Sequence, residues 1–265
     1  MFLGNYNVLS STGASEIIKF VPGSPTDISI LREGGFIRGL DLTPDELEVA
    51  YGVHDTTRDP TIPAPPFLGV FSLPVSGGME SFIATPVFPF GPQDSVLFGP
   101  AYLSNGDFLI WGVPNRFQVT TIGDTGDVMR VTPGGAVSPF FLNSEIPDQD
   151  RVVDSALLAT DENDTLFLWI NAGLSSQFPL LVIREANGNI YTHDSLEIAT
   201  RFEETFADNI ALGGASIFSM AAHSSPDSVS LYATAGAIKD NKFSYVVLRF
   251  TFPTISGVDR WTVYE

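Results

Sequence analysis

Apolar and polar positions alternate along this chain in short bursts, and one burst pattern returns four times. Each copy is a short apolar stretch, a polar turn and a second stretch carrying an aromatic residue. The copies read RGLDLTPDELEVAYG from Arg38, GPAYLSNGDFLIWG from Gly99, VDSALLATDENDTLFLWIN from Val153 and FSMAAHSSPDSVSLYATAG from Phe218. Their aromatics, Tyr51, Trp111, Trp169 and Tyr232, stand 60, 58 and 63 residues apart. Short alternating segments predict strands, and a period of this size predicts a repeat architecture. Two further strands follow each hairpin, joined by turns containing VSGG, TPGG, ANGN and ISG, which supply the positive φ that tight turns require.

Four strands per repeat, four times over, predict an all-β propeller. The full repeats are expected at 36–95, 96–150, 151–214 and 215–265. Residues 1–35 read as a partial blade: FLGNYNV, EIIKFVP and DISILRE fit the second, third and fourth strand positions, and the innermost strand is missing. The expectation is therefore a single domain of about five blades, the first incomplete, its inner strand supplied from elsewhere. One short helix is predicted near 195–212, because Ile198, Phe202, Phe206 and Ile210 recur every fourth residue after the Asp194/Glu197 capping pattern.

The hairpin runs LDLTPDELEVAYG, AYLSNGDFLIWG, ALLATDENDTLFLW and AAHSSPDSVSLYAT resemble the repeat of YVTN, NHL and lactonase-type propellers. Those blades carry an apolar strand, Ser-Pro-Asp-Gly, then a Leu-Tyr-Val-type strand. Pro44, Asp45, Pro226 and Asp227 match that turn, while Asn105-Gly106 and Asp161-Glu162 depart from it. The resemblance covers most of residues 36–265 and concerns architecture, since such propellers include enzymes, lectins, scaffolds and adhesion modules. In the lactonase kind it implies a divalent cation held by oxygen ligands around the central channel. The nearest candidates here, at the entry to the first strand of a blade, are Glu33, Asp94, Asp150 and Asp154. No two of them share a repeat position.

Charge narrows the partners. Thirty-one acids against thirteen bases give a formal charge of −18, a field that repels phosphate backbones and anionic lipid. Nucleic acid and membrane surfaces are excluded as expected partners. With Lys19, Lys239 and Lys242 the only lysines, the surface also suits salty surroundings, where screening relieves self-repulsion. No apolar run reaches the roughly 18 residues of a membrane-spanning helix, and the amino terminus lacks the basic and apolar regions of a signal peptide. An extracellular or particle-associated location stays open. There is no cysteine, hence no disulfide framework and no thiolate chemistry.

Catalytic motifs are absent: no G-x-S-x-G elbow, no H-E-x-x-H, no phosphate-binding loop. His54, His193 and His223 fall on different strand positions, whereas a catalytic pair or ligand set needs its groups within reach of one another. The acidic runs at 124–127 and 161–164 lack the calcium-loop spacing. Repeated aromatics could stack on sugars, but recurrence at one strand position points to packing between blades. The reading is a non-enzymatic interaction or structural module without a cofactor, part of a larger assembly or a homo-oligomer. Its predicted partner surface is the long loops holding His54, Arg58, Asn115 and Arg116. The alternatives are a calcium-dependent lactonase-like hydrolase and a sugar-binding lectin.

Overall fold

A computed structural model describes residues 2–6, 15–21, 24–33, 36–54, 68–84, 95–114, 127–146, 153–172, 180–194, 216–225, 228–239, 242–252 and 260–264. These form five antiparallel sheets. The N-terminal sheet has three strands, β1 (Phe2–Tyr6), β2 (Ser15–Val21) and β3 (Ser24–Glu33). Four four-stranded meanders follow. The first is β4 (Phe36–Leu42), β5 (Glu48–His54), β6 (Leu68–Pro74) and β7 (Ser81–Ala84). The second is β8 (Ser95–Tyr102), β9 (Phe108–Pro114), β10 (Asp127–Val131) and β11 (Val137–Phe141). The third is β12 (Val153–Thr160), β13 (Leu166–Ala172), β14 (Leu180–Arg184) and β15 (Ile190–Asp194). The fourth is β16 (Ser216–Ser225), β17 (Ser228–Lys239), β18 (Lys242–Phe252) and β19 (Arg260–Tyr264). A single 3₁₀ turn, Asn143–Glu145, is the only helical element among the described residues. The helix expected near 195–212 lies outside them.

The sheets stack in chain order through their first strands: β4 lies against β8, β8 against β12, and β12 against β16. Because β12 and β16 also approach β4, the four first strands gather about a common centre. β1 and β2 lie against β4 as β5 and β6 lie against β8. The N-terminal strands thus sit at second-to-fourth positions, and no first strand pairs with β1 among the described residues.

Burial explains the sequence pattern. Second strands are covered on both faces by neighbouring sheets, so Phe108 to Trp111 and Leu166 to Ile170 are buried without a break. Hence they read as continuous apolar runs rather than alternating ones. The outer strand β11 is far more exposed. Three apolar clusters fill the gaps between sheets: Ile17 with Val49, Tyr51 and Leu73; Val70 with Phe108, Ile110 and Val131; and a larger one around Trp111, Trp169, Val182 and Leu231.

All four first strands carry a register break against their neighbour, after Ile37, Phe98, Val153 and Ile217. A bulge bends a strand and sharpens its twist, which suits strands converging on a centre. At two of these bulges the backbones touch. A Cβ added to Gly39 (φ +92°) would meet the Gly99 amide at 3.0 Å, and one added to Gly99 (φ +120°) would meet the Leu109 carbonyl at 2.9 Å. Only glycine suits both the positive φ and the contact.

Candidate functional site

In a four-stranded meander the first and third turns lie at one end of the sheet, and the second turn and the exit lie at the other. The described residues cover the first of these ends well, and it is rich in carboxylates. Four of these acids bind residues about one repeat away. Asp41 Oδ2 accepts the Tyr102 amide at 2.7 Å, while Oδ1 accepts the Leu42 amide at 2.9 Å. Asp164 accepts the Ser104 amide at 2.6 Å and its hydroxyl at 2.8 Å. Glu162 accepts the Ser224 amide at 2.7 Å and pairs with His223 Nδ1 at 2.5 Å. Asp161 accepts the Ser224 hydroxyl at 2.5 Å. The Thr160 hydroxyl donates to the Tyr102 carbonyl. These contacts tie each hairpin to the next.

The environments differ. Burial pushes the Asp41 carboxyl up to about 6, although two amide hydrogen bonds pull the other way. Burial also raises Tyr102, to about 12, with the nearby Asp41, Glu48 and Asp45 charges adding to it. For Glu162, desolvation is outweighed by the Ser224 amide and the His223 ring, so its carboxyl is held low. Asp45 is held low by the Thr43 hydroxyl and the Leu47 amide. Asp161 works locally as well: its Oδ1 accepts the Asn163 and Thr165 amides at 3.0 and 2.8 Å, closing the turn. Buried Asp107 pairs with Arg130 and accepts the Asn105 side-chain amide.

A second polar cluster joins the N-terminal sheet to the first four-stranded sheet. The Tyr51 hydroxyl donates to Glu80, Arg32 Nε donates to the same carboxylate at 2.6 Å, and the Arg32 guanidinium lies 5.1 Å from the Tyr51 ring centre. Lys19 Nζ donates to the Val75 carbonyl at 3.2 Å. Burial, then the hydrogen bond to Glu80, drives the Tyr51 hydroxyl well above the ordinary phenol range.

The residues singled out from the sequence are placed as follows. His54 ends β5, its backbone opposite Phe36 and Leu68. Arg58, Asn115 and Arg116 lie outside the described residues. Glu33 ends β3 opposite Glu16, and Asp154 is the residue skipped at the bulge of β12. Asp94 and Asp150 lie outside the described residues. His193 and His223 sit in β15 and β16, so the three histidines belong to three sheets. Among the described residues no group of three His, Asp or Glu could hold a metal ion. Tyr51, Trp111 and Trp169 are buried and Tyr232 is half-buried beside Arg249. Rings in those places pack the sheets.

Sequence reasoning passed over Asp41, Asp161, Glu162 and Asp164 as members of an inter-sheet set. Their signal was periodic: Ser104 precedes Asp164 by 60 residues, and Asp161 precedes Ser224 by 63. It also passed over Leu47 and Met79, large apolar side chains that stand 67% and 88% exposed at this same end.

No family model and no curated protein matches the chain. Solved structures with a similar course include a Mycobacterium tuberculosis puromycin-hydrolysing peptidase, at 10% identity and TM-score 0.45 over 97% of this chain and 37% of that one. Regucalcin, a calcium-binding protein from Agrobacterium tumefaciens, gives 10% identity and TM-score 0.44 over 85% of this chain and 73% of that one. A Cellvibrio cellulosa α-L-arabinanase mutant gives 11% and 0.46 over 83% and 72%. The chain spans about two fifths of the peptidase and of a prolyl endopeptidase it also resembles. Likenesses this weak carry neither activity nor substrate to this chain.

Proposed function

We propose that the chain is a non-enzymatic interaction or structural module, built as a five-bladed propeller whose first blade lacks its innermost strand. One observation carries this reading. At the turn end the carboxylates join one hairpin to the next, while Leu47 and Met79 project into solvent beside them. Acids committed to holding a scaffold rigid suit presentation of a surface, and exposed apolar residues on rigid turns suit contact with another protein. The position beside β1 suits a strand from a partner, since main-chain pairing there would complete the blade.

Two measurements test the module against the calcium-dependent hydrolase. Calorimetric titration with calcium should give no saturable heat, and lactone and aryl-ester substrates should show no calcium-dependent turnover. Tight calcium binding coupled to turnover would replace the module with the enzyme.

A further inference from the structure

The turn end of the first four-stranded sheet differs from those of the second and third. Its hairpin turn presents Leu47, and its third turn presents Met79. The third turn of the second sheet instead exposes Pro133, Gly134, Gly135 and Ala136, and that of the third sheet exposes Ala186, Asn187, Gly188 and Asn189. The two apolar turns are neighbours, because the Val75 amide donates to the Leu47 carbonyl at 2.9 Å. Both are held stiffly. Asp45 Oδ1 accepts the Thr43 hydroxyl at 2.6 Å and the Leu47 amide at 3.1 Å, and the Gly77 amide donates to the Pro74 carbonyl at 2.8 Å. Glu80, next to Met79, is fixed by Tyr51 and Arg32. Residues held in place before contact lose little entropy on binding.

We infer that Leu47 and Met79 form a docking surface for a short segment of another protein that carries apolar side chains flanked by lysine or arginine. Leu47 sits among Asp45, Glu46 and Glu48 in sequence, and Asp45 and Glu46 are exposed. An acidic rim on the Leu47 side of the apolar pair complements a basic, apolar segment and speeds its approach, while beside Met79 the Glu80 carboxylate is already paired with Arg32. A second copy of this chain fits poorly, since it would bring another −18 charge to the same acidic rim. The inference rests on the interaction-module reading and adds to it a surface and a partner chemistry.

Methionine methyl resonances provide the test. Met79 is 88% exposed, while Met129 and Met220 are buried and serve as internal controls. The probes are two synthetic peptides, one with Leu and Trp flanked by Lys, the other identical but with Glu for Lys. The expected result is a saturable shift of the Met79 methyl with the lysine peptide only, leaving Met129 and Met220 unmoved. Leu47→Ser should weaken binding at least tenfold, and Glu46→Lys should weaken the lysine peptide and admit the glutamate one. Both positions are exposed, and an unchanged melting temperature checks that each variant folds. No Met79 shift at millimolar peptide, equal shifts with both peptides, or binding indifferent to Leu47→Ser would overturn the inference. So would a Met79 shift that grows with protein concentration alone, alongside a dimer in light scattering, which would assign the surface to self-association. Failure here leaves the module reading standing on its other surfaces, whereas calcium-dependent turnover would remove that reading and leave this surface measurable.

Discussion

The third four-stranded sheet and the N-terminal sheet are fastened to their neighbours by different means. Around the third sheet the join is a broad apolar layer. Trp169, Phe167, Leu158 and Val182 share one buried cluster with Trp111 on one side and Leu231 on the other. Along its turn end Ser104, Asp164, Glu162 and Ser224 add polar ties. Among the described side chains of the N-terminal sheet Ile17 is the one fully buried, with Leu31 packed beside it, and Arg32 and Lys19 reach across to Glu80, Tyr51 and Val75. Repeats that look equivalent in sequence therefore carry unequal shares of stability, as expected where each unit depends on its neighbours.

The largest effect should come from the apolar join. Trp169→Ala removes a ring that is 1% exposed from the centre of the larger cluster. A loss of about 3–5 kcal/mol is expected in urea unfolding, from lost transfer energy plus the cavity left behind. A loss under about 1 kcal/mol would mean that the third sheet does not anchor the array.

Asp41 is the next test, and here the sign matters. Burial raises its carboxyl to about 6 in the folded chain, above the usual aspartate value of ~4. The folded state therefore favours the protonated form. Below about pH 4 the group costs nothing, its penalty grows as pH rises towards 6, and above that it is constant. The shift corresponds to about 3 kcal/mol at most. The Asp41→Asn variant should gain stability relative to the parent between pH 4 and 7, measured as the difference between the two denaturation profiles. A difference independent of pH would show that burial does not govern this carboxyl.

These two residues also show what was legible in the sequence. Trp169 announced itself, because its equivalents recur with a near-constant period, and packing between sheets is what periodic aromatics do. The strand positions followed from the same periodicity, as did the glycines of the tight turns. Asp41 gave no such signal. Its role depends on the Tyr102 amide 61 residues away, a contact created by stacking rather than by local pattern. The exposure of Leu47 and Met79 was equally hidden, since an apolar residue in a turn reads the same whether a neighbour covers it or not. The loops holding Arg58, Asn115 and Arg116, chosen for their length and composition, lie outside the described residues.

The polar grip of the N-terminal sheet predicts a smaller and more local effect. Glu80→Ala removes the carboxylate that accepts from both Tyr51 and Arg32, leaving a buried phenol and a largely buried guanidinium without it. A cost of about 1–2 kcal/mol is expected. It should appear first as faster amide exchange in 15–21 and 24–33, with little change in 153–172. Uniform loss of protection across all five sheets would erase the contrast between the two kinds of join.

The smallest effect belongs to the surface tie between Glu162 and His223. Both side chains are more than half exposed, so water screens the pair, and double-mutant cycles on such pairs return less than about 1 kcal/mol. Glu162 also accepts the Ser224 amide, and that bond survives loss of the imidazole. His223→Ala should therefore cost about 0.5 kcal/mol or less at low salt. The cost should vanish in about 1 M salt, where the Debye length falls to roughly 3 Å. A penalty above about 1.5 kcal/mol that persists at high salt would show that this pair, and not the apolar layer beneath it, holds the third and fourth sheets together.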